Sequence, residues 1–215
     1  MSQHLRPASQ RDALCDALAA VDPAAPTLCE GWTAHHLAAH VWVREHEIAA
    51  AAGIALPSLA SRTARRIDQI RAERPYADLV DAIRRGPARF SPFRLPGVEA
   101  AANTLEFFVH CEDVRRGSGD LTPRPRDLAL ENLAWKSAAG LARMSLRHSP
   151  VAVWLARDLP PGEPVRIGRG PDIVTVSGPP TELVLYLFGR RAAAQVEVFG
   201  EPASVAAMIK ATAAF

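Results

Sequence analysis

The first 148 residues read mainly as amphipathic helices, and the remainder as short β-branched runs mixed with helices. DALCDALAAV is a helix for which Ser9 is a plausible N-cap, and Pro23 and Pro26 close it. The pattern then predicts a long helix from Thr33 to Ala52, with Leu37, Val41, Arg44 and Ile48 on one face and Gly53 after it. SRTARRIDQIRAER and YADLVDAIRR follow as two shorter helices divided by Pro75. GPARFSPFRLPG reads as a loop, and Gly97 to Arg116 as the next helix. GSGDLTPRPR breaks that helix, and Arg126 to His148 reads as another long one.

After Ser149 the texture changes. VAVWLAR, PVRIGR and DIVTVSG are short, rich in β-branched residues and bounded by Pro and Gly, so they predict strands. TELVLYLFGRRAAA predicts a helix opening after Pro179 and Pro180, VEVFG a further strand, and SVAAMIKATAAF a final helix. The expected fold class is α+β: an up-down four-helix bundle over residues 1–148, then a small α+β domain over 149–215. A domain of that size has a thin core on its own.

Composition narrows the function classes. The 215 residues carry a net charge of only +2, which points to neither nucleic acid nor a membrane surface as partner. Of 25 basic residues only Lys136 and Lys210 are lysines, a bias expected of a GC-rich bacterial source. Cys15, Cys29 and Cys111 form no CxxC pair, which argues against a disulfide framework or zinc ribbon and suits a reduced cytosol. MSQHLRPASQRD lacks the apolar stretch of a signal peptide, so a cytoplasmic location is expected.

The candidate chemistry lies in EFFVHCEDVRR. Glu106, His110 and Asp113 fall at i, i+4 and i+7, a single stripe on a helix. Glu106 and His110 at that spacing can offer an oxygen and a nitrogen to one ion. A third ligand from a neighbouring helix would complete the set. His40, beside Leu37 and Val41, is the best placed. A Glu/His pair one turn apart is also a common surface pair worth a few tenths of a kcal/mol. His36 and His40 are a second i,i+4 pair that could bind an ion alone, while His35 and His46 lie off that face and read as solvated. Asp113 could orient His110 from behind, supply a fourth ligand, or pair with Arg115 or Arg116. Cys111 points elsewhere and reads as a small buried hydrophobe. The basic stretch RTARRIDQIR reads as a solvated face, and Trp42, Trp135 and Trp154 as packing residues.

These stretches resemble a known family. GWTAHHLAAHVWVREHE is similar to the first signature of the DinB-like metal-binding bundles, and in particular of the mycothiol-dependent maleylpyruvate isomerase branch. There a Trp opens the second helix and a His follows, matched by Trp32 and His40. NTLEFFVHCEDVRR is similar to the second signature, matched by Glu106 and His110, and VTVSG…ELVLYLFGRRAA…VEVFG resembles the C-terminal domain of the branch. The likeness covers essentially the whole chain.

The resemblance implies a divalent metal, most often zinc, held by His40, Glu106 and His110, with a position open for substrate. It implies mycothiol as a possible co-substrate, and an S-transferase or isomerase acting on an organic substrate that the residues do not name. A metal-dependent hydrolase and a non-catalytic metal-binding protein are the alternatives. Arg190 and Arg191 resemble the Gly-Arg of the C-terminal domain; Arg190 could contact substrate or thiol, or either could cap the carbonyls of its own helix. A monomer or a homodimer is expected, with neither nucleic acid nor membrane as partner.

Overall fold

The computed structural model describes residues 7–47, 50, 57–87, 100–158 and 162–212. Helices α1 (Pro7–Ala19), α2 (Ala34–His46), α3 (Ala60–Glu73), α4 (Tyr76–Arg85), α5 (Ala100–Arg116) and α6 (Leu128–Ser145) precede a four-stranded sheet. Strands β1 (Ala152–Arg157), β2 (Val165–Ile167) and β3 (Ile173–Gly178) then lead into α7 (Pro180–Leu187), β4 (Glu197–Phe199) and α8 (Pro202–Thr212). The class is α+β, mostly helical with a small sheet.

Several element ends differ from the sequence reading. The first helix starts at Pro7, so Ser9 lies inside it rather than capping it; proline suits a first helical turn, where its missing N–H has no intrahelical partner anyway. The second helix stops at His46, because Glu47 leaves helical geometry. The predicted loop over GPARFSPFRLPG lies largely outside the described residues, as do Ile48, Gly53 and Gly97. The helix expected through Ala194 ends at Leu187, where Gly189 takes a φ of +87° that side chains resist. Asp127 caps α6, its carboxylate accepting from the amides of Ala129 and Leu130.

Two compact units divide the chain, one being Arg6–Asp120 and the other taking it up from Leu121. The sequence reading drew its boundary after residue 148, at the junction of helix and strand. The compact division falls earlier because α6 shares a core with the sheet. Ala138, Ala142 and Leu146 pack with Val153, Leu155, Val174, Val176, Leu183 and Met208.

In the first unit, α1, α2, α4 and α5 bury Leu14, Leu18, Leu37, Val41, Leu79, Ile83 and Phe107. A buried charge cluster ties the same helices together. Arg11 on α1 donates to both carboxylate oxygens of Glu45 on α2 at 2.6 and 2.5 Å, and to the Ile83 carbonyl of α4 at 2.8 Å. Its guanidinium also lies over the Phe107 ring of α5, 4.5 Å from the centroid.

In the second unit the strand order is β2-β1-β3-β4, with β1 and β3 parallel and the outer pairs antiparallel. Val153 stands beside Val174 and Leu155 beside Val176 on the buried face. Trp154 and Thr175 fall on the opposite face, as a period of two requires. Glu131 on α6 is buried and accepts from both the amide and the hydroxyl of Thr181 at 3.0 Å, fastening the start of α7 to α6.

Candidate metal centre

His40 comes from the middle of α2, and Glu106 and His110 come from successive turns of α5. One ligand atom from each lies within 4.8 Å of the others. Glu106 Oε1 is the hub: His110 Nε2 is 3.2 Å away and His40 Nε2 4.0 Å. Bonds of about 2.0–2.1 Å to a tetrahedral ion would set such atoms about 3.3 Å apart, so the cluster is close to the required size. The two imidazoles meet edge to face, with ring centroids 5.2 Å apart, and the Trp32 ring lies tilted against His40, also at 5.2 Å.

The protonation preferences follow from the neighbours. Burial lowers the His40 pKa more than the Glu106 carboxylate raises it, so the ring is neutral and keeps a lone pair. Burial would raise the Glu106 pKa, but the His110 and His40 imidazoles and the Arg44 charge hold it well below the ordinary carboxylate range. For His110 burial is again unfavourable to charge. Its hydrogen bonds to Asp113, Cys29 and Glu106 outweigh that, and the pKa stands well above the usual imidazole value.

The chemistry of the donor set fits a divalent ion. Two imidazoles and one carboxylate are a common ligand set for zinc, with a fourth position left over. His40 supplies a further observation: its Nδ1 is buried and has no hydrogen-bond partner among the described residues. A buried imidazole that makes so little of its polar capacity is a cost to folding, of a kind that binding sites carry.

Asp113 occupies the back of the site. Its Oδ2 lies 2.9 Å from His110 Nδ1, which directs Nε2 of the same ring toward Glu106. Arg115 and Arg116 both reach Glu112, at 2.9 and 2.6 Å. Two contacts here were not legible in the sequence. Cys29 Sγ donates to Asp113 Oδ2 at 3.3 Å, and the Leu28 amide donates to the Asp113 carbonyl at 3.0 Å, so the loop before α2 is pinned to α5. Arg44 sits one turn after His40 and places Nε 3.8 Å from Glu106 Oε1. Its i+4 spacing from His40 was the available signal.

The other candidates have separate positions. His36 caps its own helix, its Nδ1 lying 3.2 Å from the Thr33 amide and 2.9 Å from the Thr33 hydroxyl, so it does not join His40. His35 reaches the Arg74 carbonyl at 3.2 Å and packs edge-on to Tyr76; His46 stacks on Trp42 at 4.7 Å. Neither is simply solvated, because each has an aromatic neighbour one helix or one turn away. Cys111 is buried, with Sγ 3.5 Å from the Ala13 carbonyl. Arg190 lies in the second unit and donates to the Phe188 carbonyl at 2.6 Å, at the end of α7. Arg191 donates to the Thr212 carbonyl at 3.0 Å.

The fold is that of the DinB-like helical bundles, carrying a cluster of imidazoles and carboxylate able to hold an ion. The chain belongs to the mycothiol maleylpyruvate isomerase N-terminal domain family, whose model matches residues 6–154. A crystal structure of the mycothiol-dependent maleylpyruvate isomerase matches with a TM-score of 0.55 and 19% sequence identity, over 93% of this chain and 93% of that one. No curated protein matches the chain. The family match runs through α6 into β1, past the division between the compact units. Among the described residues, no helix is long and apolar enough to cross a membrane.

Proposed function

We propose that this chain is a divalent-metal protein, with zinc as the first candidate ion, in which His40, Glu106 and His110 are the ligands and a low-molecular-weight thiol occupies the open position. The observation that carries the reading is the convergence of three ligand atoms within 4.8 Å, contributed by two helices and largely shielded from solvent. A bound ion of this kind would lower the pKa of a coordinated thiol and make it a nucleophile at neutral pH. The residues' part is to supply two imidazole nitrogens and one carboxylate, the ion taking the place of a His110 proton, and Asp113 keeps His110 Nε2 turned toward Glu106. Family membership makes mycothiol the first thiol to test, and isomerisation or S-transfer the first reaction class.

Elemental analysis of the purified protein tests the ligand set. Wild type is expected to carry about one ion per chain and the His40→Ala and Glu106→Ala variants almost none. Full occupancy in both variants would refute the assignment, and a wild type unable to take up any ion would remove the metal altogether. Calorimetry with mycothiol on loaded and metal-free protein tests the thiol. Heat only in the loaded form is the expected result, and no metal-dependent binding leaves hydrolysis or simple metal storage as the better reading.

A further inference from the structure

His110 has a second ring nitrogen, Nδ1, which faces away from Glu106. Around it a second group of metal-ligating side chains meets: Cys29, His110 and Asp113 each place a ligand atom within 4.8 Å of the other two. Asp113 Oδ2 is the common neighbour, 2.9 Å from His110 Nδ1 and 3.3 Å from Cys29 Sγ. A tetrahedral ion with bonds of about 2.3 Å to sulfur and about 2.1 Å to nitrogen and oxygen would hold those two pairs about 3.4 and 3.6 Å apart. The three side chains therefore need to spread by only a few tenths of an ångström to admit one.

Two segments of the chain hold these atoms in place. His110 and Asp113 lie one turn apart on α5, and the Asp113 carboxylate is fully buried. Cys29 opens the turn before α2, where its carbonyl accepts from the Trp32 amide at 2.9 Å and its own amide donates to Thr27 Oγ1 at 3.2 Å. The Leu28 amide, donating to the Asp113 carbonyl at 3.0 Å, ties that turn to α5 beside the thiol. Cys15 and Cys111 are buried and Cys29 only half-buried, so Cys29 is the thiol an entering ion could reach.

The donors and the charges decide which ion fits. A thiolate is a soft ligand, and the set of His40, Glu106 and His110 has none, so the second group favours a thiophilic ion. With an ion already on Nε2, binding releases two protons, one from Cys29 Sγ and one from His110 Nδ1, and Asp113 enters as the carboxylate. The imidazolate then bridges the two ions. One divalent ion arrives as two protons leave, so the net charge of the desolvated cluster does not change.

We infer that Cys29, His110 Nδ1 and Asp113 form a second metal site, specific for a thiophilic divalent ion and joined to the first through the His110 ring. This goes beyond the function proposed above and does not require it. Were the contact between Cys29 and Asp113 only a brace for the loop, no ion would be drawn to the thiol.

The test adds cadmium(II) to the full chain loaded with zinc, with no thiol present. It follows sulfur-to-metal absorption and, after gel filtration, the content of both metals. Wild type is expected to gain the absorption band and about one cadmium per chain while keeping its zinc. Cys29→Ser should lose the band and the cadmium and keep the zinc. Glu106→Ala, which empties the first site, should keep the band. The absence of a band in wild type overturns the inference. So does a band of undiminished strength in Cys29→Ser, which would trace it to Cys15 or Cys111, and so does loss of the band in a folded Glu106→Ala. Should Cys29→Ser fail to fold, the double variant Cys15→Ala/Cys111→Ala decides: an undiminished band supports Cys29 as its source, and a lost band overturns it. Failure of the metal reading above shows separately, as a wild type that takes up no zinc; a cadmium band in that protein leaves the second site standing.

Discussion

His110 and Asp113 are joined one turn apart on α5, with Nδ1 and Oδ2 at 2.9 Å and the carboxylate fully buried. This contact settles which nitrogen of the ring faces Glu106. Asp113→Asn should therefore lower metal affinity by about 10- to 100-fold, as the loss of an orienting carboxylate behind a histidine ligand commonly does. Competition titration against a chromophoric chelator measures it, and an affinity within twofold of wild type would assign Asp113 a purely structural role.

His40 is expected to cost stability in the absence of metal. Its Nδ1 is buried without a partner among the described residues, and the ring lies against Trp32 and His110. His40→Leu should stabilise the metal-free protein by about 1 kcal/mol, since the polar group and its unmet desolvation are removed together. The same variant should show no rise in melting temperature when zinc is added, whereas wild type should. Calorimetric melts with and without zinc compare the two.

The loop bearing Cys29 and Trp32 depends on a small residue at the end of α5. A Cβ on Gly117 would stand 2.1 Å from the Pro26 carbonyl oxygen and 2.7 Å from Thr27 Cα, both backbone atoms. Gly117→Ala should cost about 1–3 kcal/mol in urea unfolding through overpacking. A cost near zero would mean that the loop can lift away without loss.

Arg11 and Glu45 are a buried pair, with Glu45 inaccessible and the hydrogen bonds at 2.5–2.6 Å. Glu45→Ala should cost about 3–5 kcal/mol, because it leaves the guanidinium buried beside an empty space. The double variant Arg11→Met/Glu45→Leu should recover much of that, since apolar replacement of both partners removes the stranded charge. Denaturant curves on both variants, read as a mutant cycle, decide it.

Glu47 carries a pH-dependent share of stability. The Arg66 guanidinium, donating at 2.6 and 2.7 Å, holds its pKa below the ordinary carboxylate value. A depressed carboxylate stabilises above its unfolded pKa and loses that contribution as pH falls through the folded value. Wild type should exceed Glu47→Gln by a few tenths of a kcal/mol at pH 7, the pair being partly exposed. The two should converge in the acid limit, below the depressed pKa. A difference that persists there would point to packing instead of charge.

The sequence by itself determined the order of elements and singled out the residues of the candidate site. Apolar residues recurring every three to four positions marked most helices, β-branched runs between Pro and Gly marked β1, β2 and β3, and Pro75 separated α3 from α4. The spacing of Glu106 and His110 placed them on one stripe because a helix repeats every 3.6 residues. His40, the member on another helix, came from its apolar face and from the family resemblance. What local pattern could not carry was anything set by contact between distant segments. Helix ends at His46 and Leu187 were decided by cap geometry, and α6 fell with the sheet because its small residues pack there. Asp113 had three open roles in the sequence, and only the fold shows its carboxylate against His110 Nδ1 and Cys29 Sγ. Cys29, 84 positions away from Asp113, and Arg44, beside Glu106 across two helices, acquire their neighbours only in the folded chain. Spacing along one helix is local geometry, and a sequence states it; pairing between helices is long-range packing, and only the tertiary structure states that.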